Sequence, residues 1–260
     1  MSAGVRPTSA DRLRPRRSFG SSSSRCLTAV DAPATPTVPG VQIAIVRVNV
    51  SGPRPLGPPG SGIMSSIAKE RVAVERLAIS ELNLDGDDQS DRSVHGGLDK
   101  AVYAYPSEHL AGWAVDLDQP DLPDSSSAPF GENISTLGVT ENDVCIGDVW
   151  RWGTAVLQVA QPRWPCQKLT LHRGTAAVGG LMRSTGRTGW YLRVIEVGVV
   201  DVAGPISVVE RHPAALSVRA ANDAMLDRAL TDRSTVEELA VLDGVLADEW
   251  RLPLVDRLTG

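Results

Sequence analysis

Hydrophobic positions along this chain fall into short, β-branched runs separated by glycine, proline and polar residues. Val41-Gln-Ile-Ala-Ile-Val-Arg-Val48 predicts a first strand, and the Gly/Pro-rich stretch 51–62 predicts a loop after it. Val72–Ile79 reads as a strand or strand pair, 84–99 as a polar loop, and Ala101–Tyr105 as a short strand. Pro106 suits the first turn of a helix whose apolar face carries Leu110, Trp113 and Leu117. After a Pro/Ser/Asp loop at 118–129, Val144–Trp150 and Thr154–Gln161 predict a hairpin turning at Arg151-Trp152-Gly153. Trp190–Val200 predicts a further strand region, interrupted by Gly198.

The period changes in the last 50 residues. Ser217 is placed to cap a helix carrying Val218, Ala221, Met225 and Leu226, and Ser234-Thr-Val-Glu237 has the spacing of a capping box. Leu242, Leu246 and Trp250 follow at four-residue steps, as on a helical face. Many short strands followed by helices predict a mainly β fold, a barrel or sandwich, with a small C-terminal α-helical appendage.

Residues 1–40 differ from the rest. They hold six arginines, no lysine and only Asp11 and Asp31, so residues 41–260 carry about −9 of the net −5. With Ser21–Ser24 and several prolines, the segment has little to bury and is expected to be disordered. Its Arg/Ser-rich, acid-poor composition also matches a transit peptide, and a true start near Val38 or Val41 is a third reading. The expected organisation is therefore a disordered 1–40, a barrel over 41–205 and a helical appendage over 206–260.

The acidic balance argues against a nucleic-acid binder, and no apolar run approaches 18 residues, so no membrane span is expected. Three cysteines, Cys26, Cys145 and Cys166, do not make a disulfide framework, which points to a reducing, cytoplasmic setting.

Three segments carry chemistry. In Gln161-Pro-Arg-Trp-Pro-Cys166-Gln-Lys168 a thiol follows a strand in a proline-stiffened turn, and the nearby cations Arg163 and Lys168 favour a thiolate. Such a group can be a nucleophile or a soft-metal ligand, although a small, inert, buried cysteine is a common alternative. In Asp91-Arg-Ser-Val-His95-Gly96-Gly97-Leu-Asp99-Lys100 the glycine amides can cradle an anion, with His95 and Lys100 adding charge. An ordinary glycine turn explains that pattern equally. In Phe130-Gly-Glu-Asn133-Ile the carboxylate and amide can pair with polar heterocycle edges, or the segment is simply a turn leading into a strand. Asp85-Gly-Asp87-Asp88 lacks the spacing of a calcium loop, and the four histidines make no HExxH pair. Cys145 reads as core.

Taken in order, these strings resemble the MOSC family, the domain found at the C-terminus of molybdenum cofactor sulfurases. Its pattern is matched by Asp91-Arg92, His95-Gly96-Gly97, Asp99-Lys-Ala-Val102, Tyr105-Pro106, Trp113, Phe130-Gly-Glu-Asn133, Ile146-Gly-Asp148 and Pro162-Arg163 with Pro165-Cys166. Thr188-Gly-Trp-Tyr191 and the helical tail look like the branch of hydroxylaminopurine-resistance proteins, and the resemblance spans roughly 41–255. It implies a β-barrel that binds molybdenum cofactor, a pterin with a dithiolene and a phosphate. Cys166 would ligate the metal and be the catalytic anchor. His95, Gly96, Gly97 and Lys100, with Lys69 and Arg163, would suit the phosphate or pyran region, and Asn133 the pterin edge. One departure is Ser65-Ser66-Ile67-Ala68-Lys69, where relatives carry a Thr-Gly-Ile-like triplet before the lysine.

The activity implied is reduction of N-hydroxylated compounds, such as hydroxylated bases or hydroxylamines. Electrons would come from a separate redox partner, since the chain has neither a cysteine quartet for an iron–sulfur cluster nor a GxGxxG fingerprint. A carrier of the cofactor, or of a persulfide on Cys166, needs the same residues and is the alternative. The helical tail would pack on the barrel, receive the redox partner or form a homodimer contact.

Overall fold

A computed structural model of the chain describes residues 40–88, 96–123 and 127–260. The expectations for 1–39 and for His95 lie outside the described residues.

The core is a closed barrel of seven strands. β1 (Gln42–Val50) is the long first strand, with Ile43 and Val48 buried. Short pairs follow it: β2 (Arg54–Pro55) with β3 (Met64–Ser65), and β4 (Glu70–Arg71) on the end of β1. β5 (Arg76–Ile79) lies off the barrel, paired with β11 (Gly198–Asp201). The remaining strands are β6 (Val102–Pro106), β7 (Ile134–Leu137), β8 (Val149–Trp152), β9 (Ala155–Pro162), β10 (Trp190–Glu196) and β12 (Ile206–Glu210). Their order is β12-β8-β9-β10-β6-β7-β1, and pairing of β1 with β12 closes the ring. Only β6 and β7 run parallel among the barrel pairs described. Closure removes the open sheet edge that would otherwise template aggregation.

The predicted hairpin forms, but it turns at Gly153-Thr154, between Trp152 and Ala155. Gly153 has φ +59°, and a Cβ there would lie 2.3 Å from the Val199 carbonyl oxygen, so only glycine fits. Residues 144–148 do not extend β8 as predicted. They make a turn in which Asp148 accepts from the Cys145 amide at 3.0 Å and pairs with Arg211.

Among the described residues, six helices complete the fold: α1 (Leu110–Asp116), α2 (Gln167–Arg173), α3 (Ala177–Thr185), α4 (Val218–Leu226), α5 (Arg233–Ala240) and α6 (Asp248–Thr259). Pro106 ends β6 rather than opening α1, because a 3-10 turn at Ser107–His109 comes between them. Ser217 caps α4 as expected, accepting from the Ala220 amide at 3.0 Å. α5 is capped instead by Asp232, whose carboxylate accepts from the Thr235 amide at 3.3 Å, and Ser234 lies inside the helix. Asp is as strong an N-cap as Ser, and it comes first along the chain. Leu242 and Leu246 precede α6 rather than sharing a helix with Trp250. α2 and α3 are short helices in a stretch, 167–185, for which the sequence predicted no element.

The expected boundary at 205/206 cuts through the barrel, since β12 begins at Ile206 and pairs with both β1 and β8. The helical tail also has no core of its own. Val218 and Ala221 of α4, Val236 and Leu239 of α5, and Trp250 and Leu254 of α6 join the same buried cluster as Trp150, Trp190 and Ile206. A second cluster, Tyr103, Tyr105, Trp113, Phe130, Leu169 and Met182 among its members, lies between β6 and helices α1–α3. The chemistry-bearing loops sit over this second cluster.

Candidate functional site

Four loop segments and two strand ends converge on one cleft. Its walls include Ser65, Ser66, Ile67 and Lys69 after β3, Asp87 and Asp88, Gly131 and Asn133 before β7, and Arg163, Cys166 and Lys168 after β9. Lys100, Tyr103 and Tyr191 complete it. Of the residues singled out in the sequence, Lys69, Lys100, Asn133, Arg163 and Cys166 are thus brought together from positions nearly 100 residues apart.

Cys166 is the N-cap residue of α2, partly exposed, on the loop that the two prolines stiffen. It contrasts with Cys145, whose thiol is buried beside Asp148. Burial first, then that carboxylate, push the Cys145 thiol up to about 11, so it stays protonated at neutral pH.

Arg163 is buried under the cleft. Its guanidinium lies 4.6 Å from the Tyr103 ring centroid and donates to the Phe130 carbonyl. That contact ties the cysteine loop to the Phe130-Gly-Glu-Asn133 turn. Gly131 has φ +77°, and a Cβ there would sit 2.6 Å from Ile67 Cγ1 and 3.1 Å from the Ile67 carbonyl oxygen. The glycine is what lets the turn and the Ser-Ser-Ile loop touch.

Asn133 is placed in the cleft, but its amide is already engaged. Nδ2 donates to Asp87 Oδ2 at 2.9 Å and to the Asn49 carbonyl at 3.2 Å, while Oδ1 accepts from the Tyr103 amide at 3.1 Å. It therefore acts as a bolt between β1, β6 and the 85–88 turn rather than as a spare hydrogen-bonding edge. Glu132 is likewise structural. Its buried carboxylate accepts from the Phe130 amide and the Ser135 hydroxyl, both at 3.0 Å, and burial raises its pKa.

Lys69 is only 7% exposed, and its Nζ is 2.5 Å from Asp87 Oδ1. Burial lowers its pKa, and the Asp87 charge works against that fall. Lys100 is held in an ion pair with Glu249 of α6. Gly96 and Gly97 do not line the cleft. Gly97, at φ +103°, opens the 3-10 turn Leu98–Lys100 and so sets where Lys100 points. The expected amide cradle is therefore not assembled from these two glycines, and their service is to the lysine.

Four contributors escaped the sequence reading. Asp87 and Asp88 were weighed only as a calcium loop, yet both face the cleft. Tyr191 sits at the end of a motif that carried no assigned role. Glu249 had no local signal, because it reaches the site only through the packing of α6.

The cleft presents four cationic side chains, Lys69, Lys100, Arg163 and Lys168, against the two carboxylates Asp87 and Asp88. Beside them stand one thiol and the buried Ser66 hydroxyl, which has no hydrogen-bond partner among the described residues. A thiolate donor is soft, and clustered cations suit a phosphate. Among the described residues, no group of three or more His, Cys, Asp or Glu side chains could hold a metal alone. A metal here would need to bring other ligands with it.

Comparison with known proteins identifies the family to which this fold belongs. The MOSC domain model matches residues 91–207. YflK of Bacillus subtilis strain 168 is 37% identical over 208 residues, which span 80% of this chain and 91% of that protein. The chain belongs to the MOSC family. YiiM of Escherichia coli K12 is 45% identical over 151 residues, 58% of this chain and 66% of that protein, which places the chain in the YiiM branch. The crystal structure of YiiM from Geobacillus stearothermophilus superimposes with TM-score 0.68 at 32% identity, covering 83% of this MOSC chain and 99% of that one. The E. coli YiiM structure gives 0.64 at 31% identity, with coverage of 85% and 94%. A reductase of Gibberella moniliformis is 38% identical over 127 residues, but they span only 22% of its length. Within the described residues, no helix of this MOSC protein is long and apolar enough to cross a membrane.

Proposed function

We propose that the cleft binds molybdenum cofactor through Cys166 and that the protein is a reductase of N-hydroxylated compounds. One observation carries the reading: a partly exposed thiol shares a cleft with four cations and a buried hydroxyl that has no partner among the described residues. That donor set fits a ligand with a soft metal at one end and a phosphate at the other. Cys166 would hold the metal. Arg163, Lys168, Lys100 and Lys69 would balance the phosphate, with Lys69 and Lys100 contributing less because Asp87 and Glu249 already pair with them. Ser66 would donate to the pterin.

The bound cofactor would supply the two-electron chemistry that removes oxygen from an N-hydroxyl group. The overall change is R–NHOH plus two electrons and two protons giving R–NH2 and water. The chain's own residues position and balance charge. The buried Arg163 stays protonated over Tyr103, so positive potential is fixed beside Cys166. Electrons would come from a separate donor protein, because no second redox centre is encoded in the motifs of the chain.

The test is production in hosts with and without molybdenum cofactor synthesis, followed by metal and pterin analysis. Wild type carries both only in the competent host and reduces hydroxylamine with a suitable donor, whereas Cys166→Ser loses the metal. Unchanged molybdenum in Cys166→Ser overturns the assignment. Loaded protein without turnover that passes its cofactor to an apo-enzyme would instead make this a carrier.

A further inference from the structure

Cys166 stands at the N-cap of α2, yet its thiol caps nothing, since the side chain makes no capping hydrogen bond. The backbone around it is fixed. The Leu169 amide donates to the Cys166 carbonyl at 3.0 Å, and the Arg163 amide donates to the Gly189 carbonyl at 3.3 Å. The thiol is thus held on the wall of the cleft, partly exposed, in the company of Ser66, Lys100, Arg163 and Lys168. Ser66 is only 8% exposed, and its hydroxyl has no hydrogen-bond partner among the described residues. A buried hydroxyl left in that way costs stability until a ligand accepts from it. Four cations, set against Asp87, Asp88 and the Glu249 that pairs with Lys100, leave the cleft with one positive charge in surplus.

An unused donor, surplus positive charge and a thiol open to solvent suit a small molecule that carries carboxylates and reacts with sulfur. A disulfide of an acidic, low-molecular-weight thiol has both properties. A neutral disulfide would gain nothing from the cations. Cys145 does not compete, because it is buried and stays protonated. We infer that Cys166, in the chain without cofactor, is a site of reversible mixed-disulfide formation with small anionic disulfides, which Arg163 and Lys168 attract and Ser66 anchors. The Cys166 thiolate attacks one sulfur of R–S–S–R, that S–S bond breaks, and R–S⁻ leaves with the bonding electron pair. Cys166–S–S–R remains, so the small disulfide is the oxidant, and attack by a second thiolate on the Cys166 bond reverses the step. The inference goes beyond the reductase reading and rests on it for one consequence only: the mixed disulfide occupies the sulfur that a metal would need, so a modified chain is held out of cofactor loading until it is reduced.

The sample is Cys26→Ser protein made without molybdenum cofactor, because Cys26 is the third thiol and lies outside the described residues. Incubation with oxidised glutathione should add one glutathione per chain, mapped to Cys166 by peptide mass spectrometry and removed by dithiothreitol. Charge is then separated from intrinsic reactivity. Rates with dianionic dithiobis-nitrobenzoate and with neutral dithiodipyridine are each divided by the rate of the same reagent with N-acetylcysteine amide. The normalised rate should be about tenfold higher for the dianion at low salt. That preference should shrink towards unity at about 1 M salt, where screening acts within about 3 Å. Lys168→Gln should lower the preference several-fold, and Ser66→Ala should lower the extent of glutathione modification about threefold. No adduct at Cys166, an adduct on Cys145 instead, or equal normalised rates for the two reagents overturns the inference. These readings come from the unsubstituted cleft, so they decide the matter even if a cleft variant misfolds. Glutathione-blocked protein should take up no molybdenum until dithiothreitol is added. A chain that forms the adduct but takes up no molybdenum in either form would overturn the cofactor reading and leave the modification site standing.

Discussion

Asp87 should be the costliest single polar side chain of the site to remove, for a reason that can be worked from its partners. Its carboxylate is buried and accepts from three groups: Lys69 Nζ at 2.5 Å, the Ser51 amide at 2.9 Å and Asn133 Nδ2 at 2.9 Å. These donors belong to three different segments, so the side chain joins the end of β1, the Ser-Ser-Ile-Ala-Lys loop and the turn before β7. Asp87→Ala strands the Lys69 ammonium in a place where burial already lowers its pKa. Breaking a buried pair by removing one partner costs about 3–5 kcal/mol. Deprotonation of Lys69 caps the loss near about 5 kcal/mol at pH 7, since an ordinary lysine sits roughly three to four units above neutrality, at about 1.4 kcal/mol per unit. Removing both charges should be milder. In Lys69→Met with Asp87→Asn the amide oxygen can still accept from Ser51 while its NH2 meets the Asn133 Nδ2 donor, and the loss should be about 1–3 kcal/mol. Urea unfolding at pH 7, followed by circular dichroism, reads both values. A loss under about 1 kcal/mol for Asp87→Ala, or a double variant no more stable than the single, would refute the idea that this charge pair holds the segments together.

Further expectations follow from single contacts. Gly131→Ala should cost about 1–3 kcal/mol, because the new methyl meets both Ile67 Cγ1 and the Ile67 backbone at a positive φ; thermal unfolding measures it, and metal content should fall with it. Gly189→Ala should be at least as severe, since a Cβ at φ +61° would lie 2.4 Å from the Ala104 carbonyl oxygen; a soluble variant melting like wild type would contradict this. Glu132 has a raised pKa from burial, so its contribution to stability is full below its ordinary 4.5 and is lost as pH rises through its folded value. Glu132→Gln should therefore gain stability relative to wild type as pH is raised above about 4.5, in unfolding curves taken pH by pH.

The barrel and the cleft were legible in the sequence to different depths. Strands with local signals, such as β1, β6 and β9, were read within a few residues, because alternation and β-branching report directly on a half-buried surface. β12 was not read, and β7 only as an unbounded strand after the 130–133 turn, although both are barrel strands. Their short runs, Ile134–Leu137 and Ile206–Glu210, gain strand character only from the partners on either side. The same split runs through the site. Cys166 and Arg163 lie on one proline-marked loop and were visible together. Asp87 was visible as an acidic residue but not as the partner of Lys69 and Asn133, which come from distant segments of the chain.

Asn133 shows why a motif residue need not be a ligand. Its side chain offers the hydrogen-bonding pattern a pterin edge would want, and it lines the cleft, yet its amide is used to join β1, β6 and Asp87. Its service to the site is rigidity. Asn133 sets the 130–133 turn, the Phe130 carbonyl in that turn fixes Arg163, and the 163–166 loop presents Cys166. Asn133→Ala should therefore act in two measurable ways at once. It should leave the Asp87 carboxylate and the Tyr103 amide each short of a partner, at about 1–3 kcal/mol per unsatisfied buried group. It should also loosen the cleft, so that molybdenum retained per chain falls at a temperature where the protein is still fully folded. Metal analysis after graded heating, set beside the unfolding curve, separates the two effects. Loss of metal only in step with global unfolding would mean that Asn133 serves the fold alone. Metal lost while the fold is intact would place it among the residues that hold the cysteine loop in register with the cofactor.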